Sequence, residues 1–311
     1  MAKNLPACDV FHGISYCGLR SGCTAQRMGV KWVCDAVNSH LVFQDEILAE
    51  EYDRVGLEYE RQDRRFLDYA EASYEQADLI TIPSVFVRGT FLAKGVPEEK
   101  LAFVPWGVDL LRFYPTASPQ GNVFRVLFVG HLSVRKGLHD VLEAFRIASL
   151  PSAELLLVGS PQPETAALLR RAVGVSPRVM GPQPKSKLNG YYSRSDVMVL
   201  SSIEDAFGYV IGEAMACGCP VIATENTGGP DFFTDGVEGF IVPIRSPEAI
   251  AEKLLWLYRH PELRFEMRAA ALKRVKSIGG WDTYGERMLE TFQTLIGSSE
   301  EGTEKLRSHA S

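Results

Sequence analysis

The sequence predicts an α/β protein of two domains, each built on a parallel sheet with helices on its faces. Three observations carry this. Residues 196–229 (DVMVLSSIEDAFGYVIGEAMACGCPVIATENTGG) read as a buried strand at Val197 to Leu200, a polar turn, a helix from Gly208 to Cys217, a glycine stop at Gly218 and a second buried strand at Pro220 to Thr224. Short Val- and Ile-rich runs flanking a helix are the pattern of a parallel βαβ unit. Comparable short apolar runs alternate with helical stretches on both sides of this unit. Finally, Thr116 to Asn122 (TASPQGN) has the composition of a linker, and a chain of 311 residues is long enough for two sizeable cores.

In the first domain, 1–115, residues 7–12 read as the end of a strand and its exit loop, followed by a glycine-rich turn and a helix to Met28. Lys31 to Ala36 is a second strand. His12 and His40 both follow strands, so both are candidates to face a ligand; a lone histidine at such a position is more often structural. Residues 43–76 read as one long helical stretch. Its charges, Glu46, Glu50, Glu51, Asp53, Arg54, Arg61, Arg64 and Arg65, read as a solvated face. Strands at Asp78 to Ile82 and Leu101 to Val104 flank a helix from Val85 to Lys94.

The second domain, 123–280, opens with a strand at Phe124 to Val129 and the loop Gly130-His131-Leu132-Ser133-Val134-Arg135-Lys136-Gly137. A glycine-bounded loop with adjacent basic residues after a strand suits a diphosphate, with Lys as a point charge and Arg as a fork. The competing reading is ordinary basic surface. A helix to Ala148, a strand at Glu154 to Val158, a helix from Pro163 to Val173, a short strand at Arg178 to Met180 and a helix from Lys185 to Ser195 follow. Beyond residue 229 come a strand at Phe240 to Pro243, helices over 247–259 and 262–276, a last helix over 281–296, and a tail at 297–311 whose composition predicts disorder.

Composition narrows the function. At 46% hydrophobic and 23% charged, the chain is ordinary for a globular protein, and a net charge of −6 argues against a nucleic-acid partner. No apolar run approaches the roughly 18 residues of a membrane span, and there is no secretory start. The six cysteines, Cys8, Cys17, Cys23, Cys34, Cys217 and Cys219, lack disulfide-scaffold density and metal-site spacing, and read as free thiols in a reducing cytoplasmic compartment. A peripheral position at a membrane is the alternative.

The turn at 201–208 carries the chemistry. Ligands of parallel sheets sit beyond the carboxyl ends of the strands, where Glu204, Asp205, Gly208 and Glu213 fall. Phe207-Gly208-Tyr209 opens a helix whose first N–H groups have no partner within it, a start suited to an anionic or hydroxyl-bearing ligand. A carboxylate at Glu213 suits a pair of sugar hydroxyls. The plain alternative is that Asp205 caps the helix and Glu213 is solvated.

With these residues in place, the stretch resembles the signature of retaining glycosyltransferases of family 4, which have the GT-B fold. Their pattern is an acidic residue, seven residues, Glu, then Ala-Met-Ala-x-Gly-x-Pro-Val-Ile. Here Asp205 and Glu213 hold the acidic positions and Ala214 to Ile222 follow, with Asp205 in place of the usual Glu and Glu204 beside it. The resemblance implies two Rossmann-like domains facing a cleft, and transfer of a hexosyl group from a nucleotide-sugar donor, UDP-linked among others, to a glycan, lipid or small-molecule acceptor with retention. It implies Arg135 and Lys136 on the donor diphosphate, with His131 standing where an Arg often follows the glycine Gly130. Asp205, Glu204 and the backbone at Phe207, Gly208, Tyr209 and Val210 would hold the donor sugar, and Glu213 the ribose. Met180, Gly181 and Lys187 would border the base, and His12 or His40 the acceptor. No metal or other cofactor is expected, because the basic residues supply the charge and no Asp-x-Asp pattern is present. The last helix would cross back onto the first domain.

The resemblance enters the first domain about halfway, with no Gly-Gly-x-x-Arg-like start. That leaves three expectations: a partner or second copy covers an exposed sheet edge, the domain packs in reduced form, or the chain is a shortened product with weak activity. It also keeps open a non-catalytic nucleotide-sugar-binding or partner-binding module. A dehydrogenase is disfavoured, since no Gly-x-Gly-x-x-Gly follows a strand.

Overall fold

The computed structural model describes residues 6–119 and 121–308, with side chains described to residue 297. The chain divides into two compact units. Unit 1 comprises residues 1–45, 60–106 and 281–311, and unit 2 residues 46–59 and 107–280.

Unit 1 holds a four-stranded parallel sheet in the order β1-β2-β3-β4, with β1 Val10–Ile14, β2 Lys31–Asp35, β3 Leu79–Ile82 and β4 Leu101–Phe103. Its helices are α1 Leu19–Arg27, α3 Arg64–Gln76, α4 Val85–Ala93 and α12 Trp281–Ser308. The central strands β2 and β3 are nearly continuous apolar runs and are buried, as two-sided strands must be. Trp32, Ile80 and Phe91 have essentially no exposed surface. The Ser84 hydroxyl accepts the Val87 N–H and starts α4, which is the capping expected of serine at that position.

Several sequence expectations shift here. The first strand reaches Ile14, so His12 lies within β1 rather than after it. The stretch 43–76 is two helices, α2 Leu41–Arg54 and α3, not one. Gly56, at φ +61, ends the first, and the Asp63 carboxylate accepting the Arg65 N–H caps the second. The unit boundary falls at Trp106, ahead of the linker-like Thr116 to Asn122, and residues 46–59 belong to unit 2. Helix α12 continues to Ser308 through the segment read as a tail, a run with several good helix formers (Glu, Lys, Leu, Arg). Residues 309–311 lie outside the described residues.

Unit 2 holds a six-stranded parallel sheet in the order β10-β9-β8-β5-β6-β7. The strands are β5 Phe124–Val129, β6 Ala153–Val158, β7 Arg178–Gly181, β8 Val197–Leu200, β9 Val221–Thr224 and β10 Gly239–Val242. Helices α5 Leu138–Ala148, α6 Thr165–Arg171, α7 Lys185–Arg194, α8 Tyr209–Ala216, α9 Gly229–Phe232, α10 Pro247–Arg259 and α11 Pro261–Ile278 join or flank them. One face packs Val126, Phe128, Leu155 and Leu157 against Leu138, Val141 and Leu142 of α5 and Ile250, Leu254 and Leu257 of α10, all buried. The strand order steps outward on both sides of the β5–β8 pair, so the loops leaving these two strands meet at the switch point where doubly wound sheets bind ligands.

Candidate active site

The site grows from that pair. Val126 lies opposite Val197 and Leu127 opposite Met198, so β5 and β8 end level with each other at Val129 and Leu200. The β5 loop therefore runs beside the β8 turn. Gly137 closes the first loop in the left-handed region, at φ +68, and a Cβ there would lie 1.8 Å from the Ser201 carbonyl oxygen. The Ser201 hydroxyl donates to the Gly137 carbonyl at 2.8 Å. Only glycine fits both the backbone conformation and this approach.

Two ion pairs bridge the loops. Arg135 Nε lies 2.8 Å from Glu204 Oε2, and Lys136 Nζ lies 2.5 Å from Asp205 Oδ2. Glu204 is fully buried. Burial opposes the Arg135 charge, but Glu204 and then Asp205 reverse this and hold the guanidinium above its ordinary pKa. Burial likewise works against the Asp205 carboxylate; the charges of Lys136 and Arg135 outweigh it and keep the group below the usual range. Asp205 Oδ1 also accepts the Gly208 N–H at 3.0 Å and the Phe207 N–H at 3.4 Å. Asp205 thus both holds the start of α8 and pairs with Lys136. Gly208 turns the chain at φ +71, where a Cβ would press on Leu200 and Ile211 side chains. Phe207 is buried against Phe232, while Tyr209 is 43% exposed and Val210 half-buried.

Glu213, on α8, is half-buried rather than solvated, and the Tyr192 hydroxyl donates to its Oε2 at 2.8 Å. Burial pushes the Glu213 carboxyl up; the Tyr192 hydrogen bond and the Lys185 and Arg112 charges offset this only in part. Tyr192, wholly buried, has its own pKa driven well upward, by burial first and then by Glu213. The sequence shows two adjacent tyrosines on α7, Tyr191 and Tyr192, but no periodic signal says which one turns inward to the acid.

The remaining candidates fall in different places. His131 is exposed, with Nδ1 3.1 Å from Gln162 Nε2. Gly130 follows β5 directly, and Gly181 accepts the Gly159 N–H through its carbonyl. Met180 and Lys187 line a cavity of about 590 Å³ together with Arg125, Arg178, Tyr191 and Arg194. In unit 1, His12 is exposed, 3.8 Å from Asp35 and ring to ring with Phe292 at 5.7 Å. His40 is buried between the rings of Tyr74 and Phe91, at 4.9 and 5.1 Å.

The cysteines are all unbridged; burial pushes the thiols of Cys34, Cys217 and Cys219 up to about 12, which makes them poor nucleophiles. Among the described residues, no helix is long and apolar enough to cross a membrane.

The D-inositol 3-phosphate glycosyltransferase of Corynebacterium urealyticum is 29% identical over 229 residues, covering 66% of this chain and 54% of that protein. The chain spans about half the length of the curated relatives it matches. Among solved structures, sucrose-phosphate synthase from Thermosynechococcus elongatus aligns with a TM-score of 0.75 at 24% identity, over 93% of this chain and 74% of that one. HepE of Anabaena, solved in complex with UDP, aligns with a TM-score of 0.74 at 19% identity, over 92% and 79%. Both are GT-B glycosyltransferases, and the likeness shows the same fold here. The model of the family glycosyl transferases group 1 matches residues 117–274, just over half of the chain and the whole of the two-loop site, so the chain belongs to that family.

Proposed function

We propose that this chain transfers a hexosyl group from a nucleotide-sugar to an acceptor, with retention of configuration, and that the pairing of Arg135 and Lys136 with Glu204 and Asp205 is the observation that carries this reading. The two cations stand at the level ends of β5 and β8, where an anionic ligand of this fold class binds. The Lys136 ammonium has three donors and gives one to Asp205, leaving donors for a diphosphate oxygen. Charge that develops on the departing nucleoside diphosphate is stabilised by groups already fixed in place, the largest single source of catalysis in many enzymes. The N–H groups opening α8, with Asp205, hold the sugar. Glu213, oriented by Tyr192, accepts from the ribose hydroxyls. The complexes of HepE with UDP and with UDP-glucose support UDP as the first base to try. On the acceptor side the exposed His12 is the candidate; His40, enclosed by Tyr74 and Phe91, is not.

The test is calorimetry with UDP- and GDP-sugars, paired with an assay of nucleoside diphosphate release. Binding and release together are expected. Binding with no turnover across a broad acceptor set would refute transfer and leave a nucleotide-sugar-binding module. No binding at all would remove the site.

A further inference from the structure

The charge run at 46–54, expected to be solvated, contains a buried carboxylate that anchors an ionic cluster of unit 2. Glu51 has no exposed surface. Its carboxylate meets His139 Nε2 at 2.7 Å, Arg54 Nη2 at 2.6 Å and Arg245 Nε at 2.6 Å, and Arg54 reaches Asp140 at 3.4 Å. His139 and Asp140 form the first turn of α5, directly after the Arg135-Lys136 loop. One residue further along α2, the Tyr52 hydroxyl donates to Glu164 Oε1 at 2.7 Å, and the same oxygen accepts the Val134 N–H at 3.2 Å. Arg171 holds the carbonyls of Val55 and Gly56, and Tyr52, Val55 and Leu57 pack on the unit 2 core.

We propose that residues 46–59 are a strap that positions the diphosphate loop, with Tyr52 and Glu51 as its positioning residues; this rests on Arg135 and Lys136 being the diphosphate ligands. The strap reaches the loop at two points. Glu164, oriented by Tyr52, fixes the amide of Val134, the residue before Arg135. Glu51 fixes His139, two residues past Gly137. The Ser133 hydroxyl, next to the first point, accepts the Lys136 N–H at 3.2 Å and closes the turn between them. Glu51, His139 and Asp140 place ligand atoms within 4.8 Å of one another, a spacing that also suits a metal. Arg54 and Arg245 already hold the carboxylate oxygens and balance the two acids, so the cluster works as an ion-pair clasp. Buried pairs of this kind add little net stability against apolar replacements, and their best-attested use is to fix one arrangement.

The experiment is Tyr52→Phe in the full chain, which removes one hydroxyl and keeps the ring against Tyr59. Its readouts are UDP affinity by calorimetry, amide exchange over residues 133–137 in the ligand-free protein, and Tm. The strap predicts UDP binding weakened about 10-fold, because UDP must then order a loop that the strap no longer holds. It also predicts faster exchange at Val134 to Gly137, with Tm nearly unchanged. Glu164→Ala, which removes the acceptor of both bonds, should give the same pattern of weaker UDP binding and faster exchange, and the double variant should lose no more UDP affinity than Glu164→Ala alone. Unchanged exchange over 133–137 in both single variants would overturn the strap, as would parental UDP affinity in both. If the parent itself binds no nucleotide, the donor-site reading falls, while the exchange measurement still decides whether Tyr52 holds the loop.

Discussion

Lys136 Nζ lies 2.5 Å from Asp205 Oδ2, joining the loop after β5 to the turn before α8. The contact serves two structures at once, because the other Asp205 oxygen accepts the first N–H groups of the turn. Replacing Lys136 by Met keeps the length of the stem and removes the charge. The variant is expected to lose about 10²-fold or more in turnover, the usual cost of removing one donor aimed at developing negative charge. Nucleoside diphosphate release, followed at saturating donor, checks this. A loss of only twofold would move the diphosphate elsewhere.

Glu213 gives the site a pH dependence. Burial raises its carboxyl above the ordinary value. A raised carboxyl favours the folded state below the unfolded-state pKa, and that contribution is lost as pH rises through the folded-state value. Donor binding runs the opposite way, because the ionised form is the better acceptor for ribose hydroxyls. UDP affinity measured from about pH 5 to about pH 8 is therefore expected to rise, and to flatten in Glu213→Gln. That variant should bind UDP more weakly while its Tm stays level or climbs, since the amide oxygen can still accept from Tyr192. Parental affinity in Glu213→Gln would refute the ribose role.

Glu51 titrates in the other direction. Burial opposes its charge, but His139, Arg54 and Arg245 hold its pKa at about 2, against an ordinary 4.5. A depressed carboxylate stabilises the fold above its unfolded-state value and loses that contribution as pH falls towards the folded-state one. The expected loss between about pH 4.5 and about pH 2 is on the order of 3 kcal/mol. Urea unfolding across that range measures it. Glu51→Gln should flatten this acid limb and cost about 3 kcal/mol at neutral pH, because the fully buried carboxylate loses the charge that His139, Arg54 and Arg245 hold.

Gly137→Ala tests the packing of the two loops. The new Cβ would meet the Ser201 carbonyl at 1.8 Å from a backbone at φ +68. Both the clash and the conformation oppose it, and a loss of about 3 kcal/mol is expected by thermal or urea unfolding. Gly236→Ala, also at positive φ but with nothing within 4 Å, is the control and should cost only the conformational share, about 1 kcal/mol.

The two-loop site was legible in the sequence because its signals are local. Val197 to Leu200 is too short and too apolar to be anything but a buried strand, and the structure has it at those bounds. Gly208 and Gly137 mark turns that only a residue without a side chain allows. The pairing of Arg135 with Glu204 crosses 69 positions and leaves no periodic trace, so the cations and acids were separately visible while their partnership was not. Glu51 was misread for a related reason. A Glu in the run Glu50-Glu51-Tyr52-Asp53-Arg54 looks solvated from its local sequence, and its burial depends on His139 and Arg245, far along the chain. Tyr192 was visible as an aromatic residue, but its role needed the geometry of α7 against α8.

The two cations at the strand ends arrive already neutralised. Arg135 and Lys136 face Glu204 and Asp205 one to one, so the cradle has no net charge with which to gather anions from solution. A free chloride or a lone phosphate gains little there, because it must compete with a carboxylate that is covalently part of the protein and already in contact. A ligand displaces that competition only by engaging both cations together while its other end reaches the α8 turn or Glu213. Selectivity in such a cradle comes from length and simultaneous contact rather than from attraction at a distance, and it should change little with ionic strength.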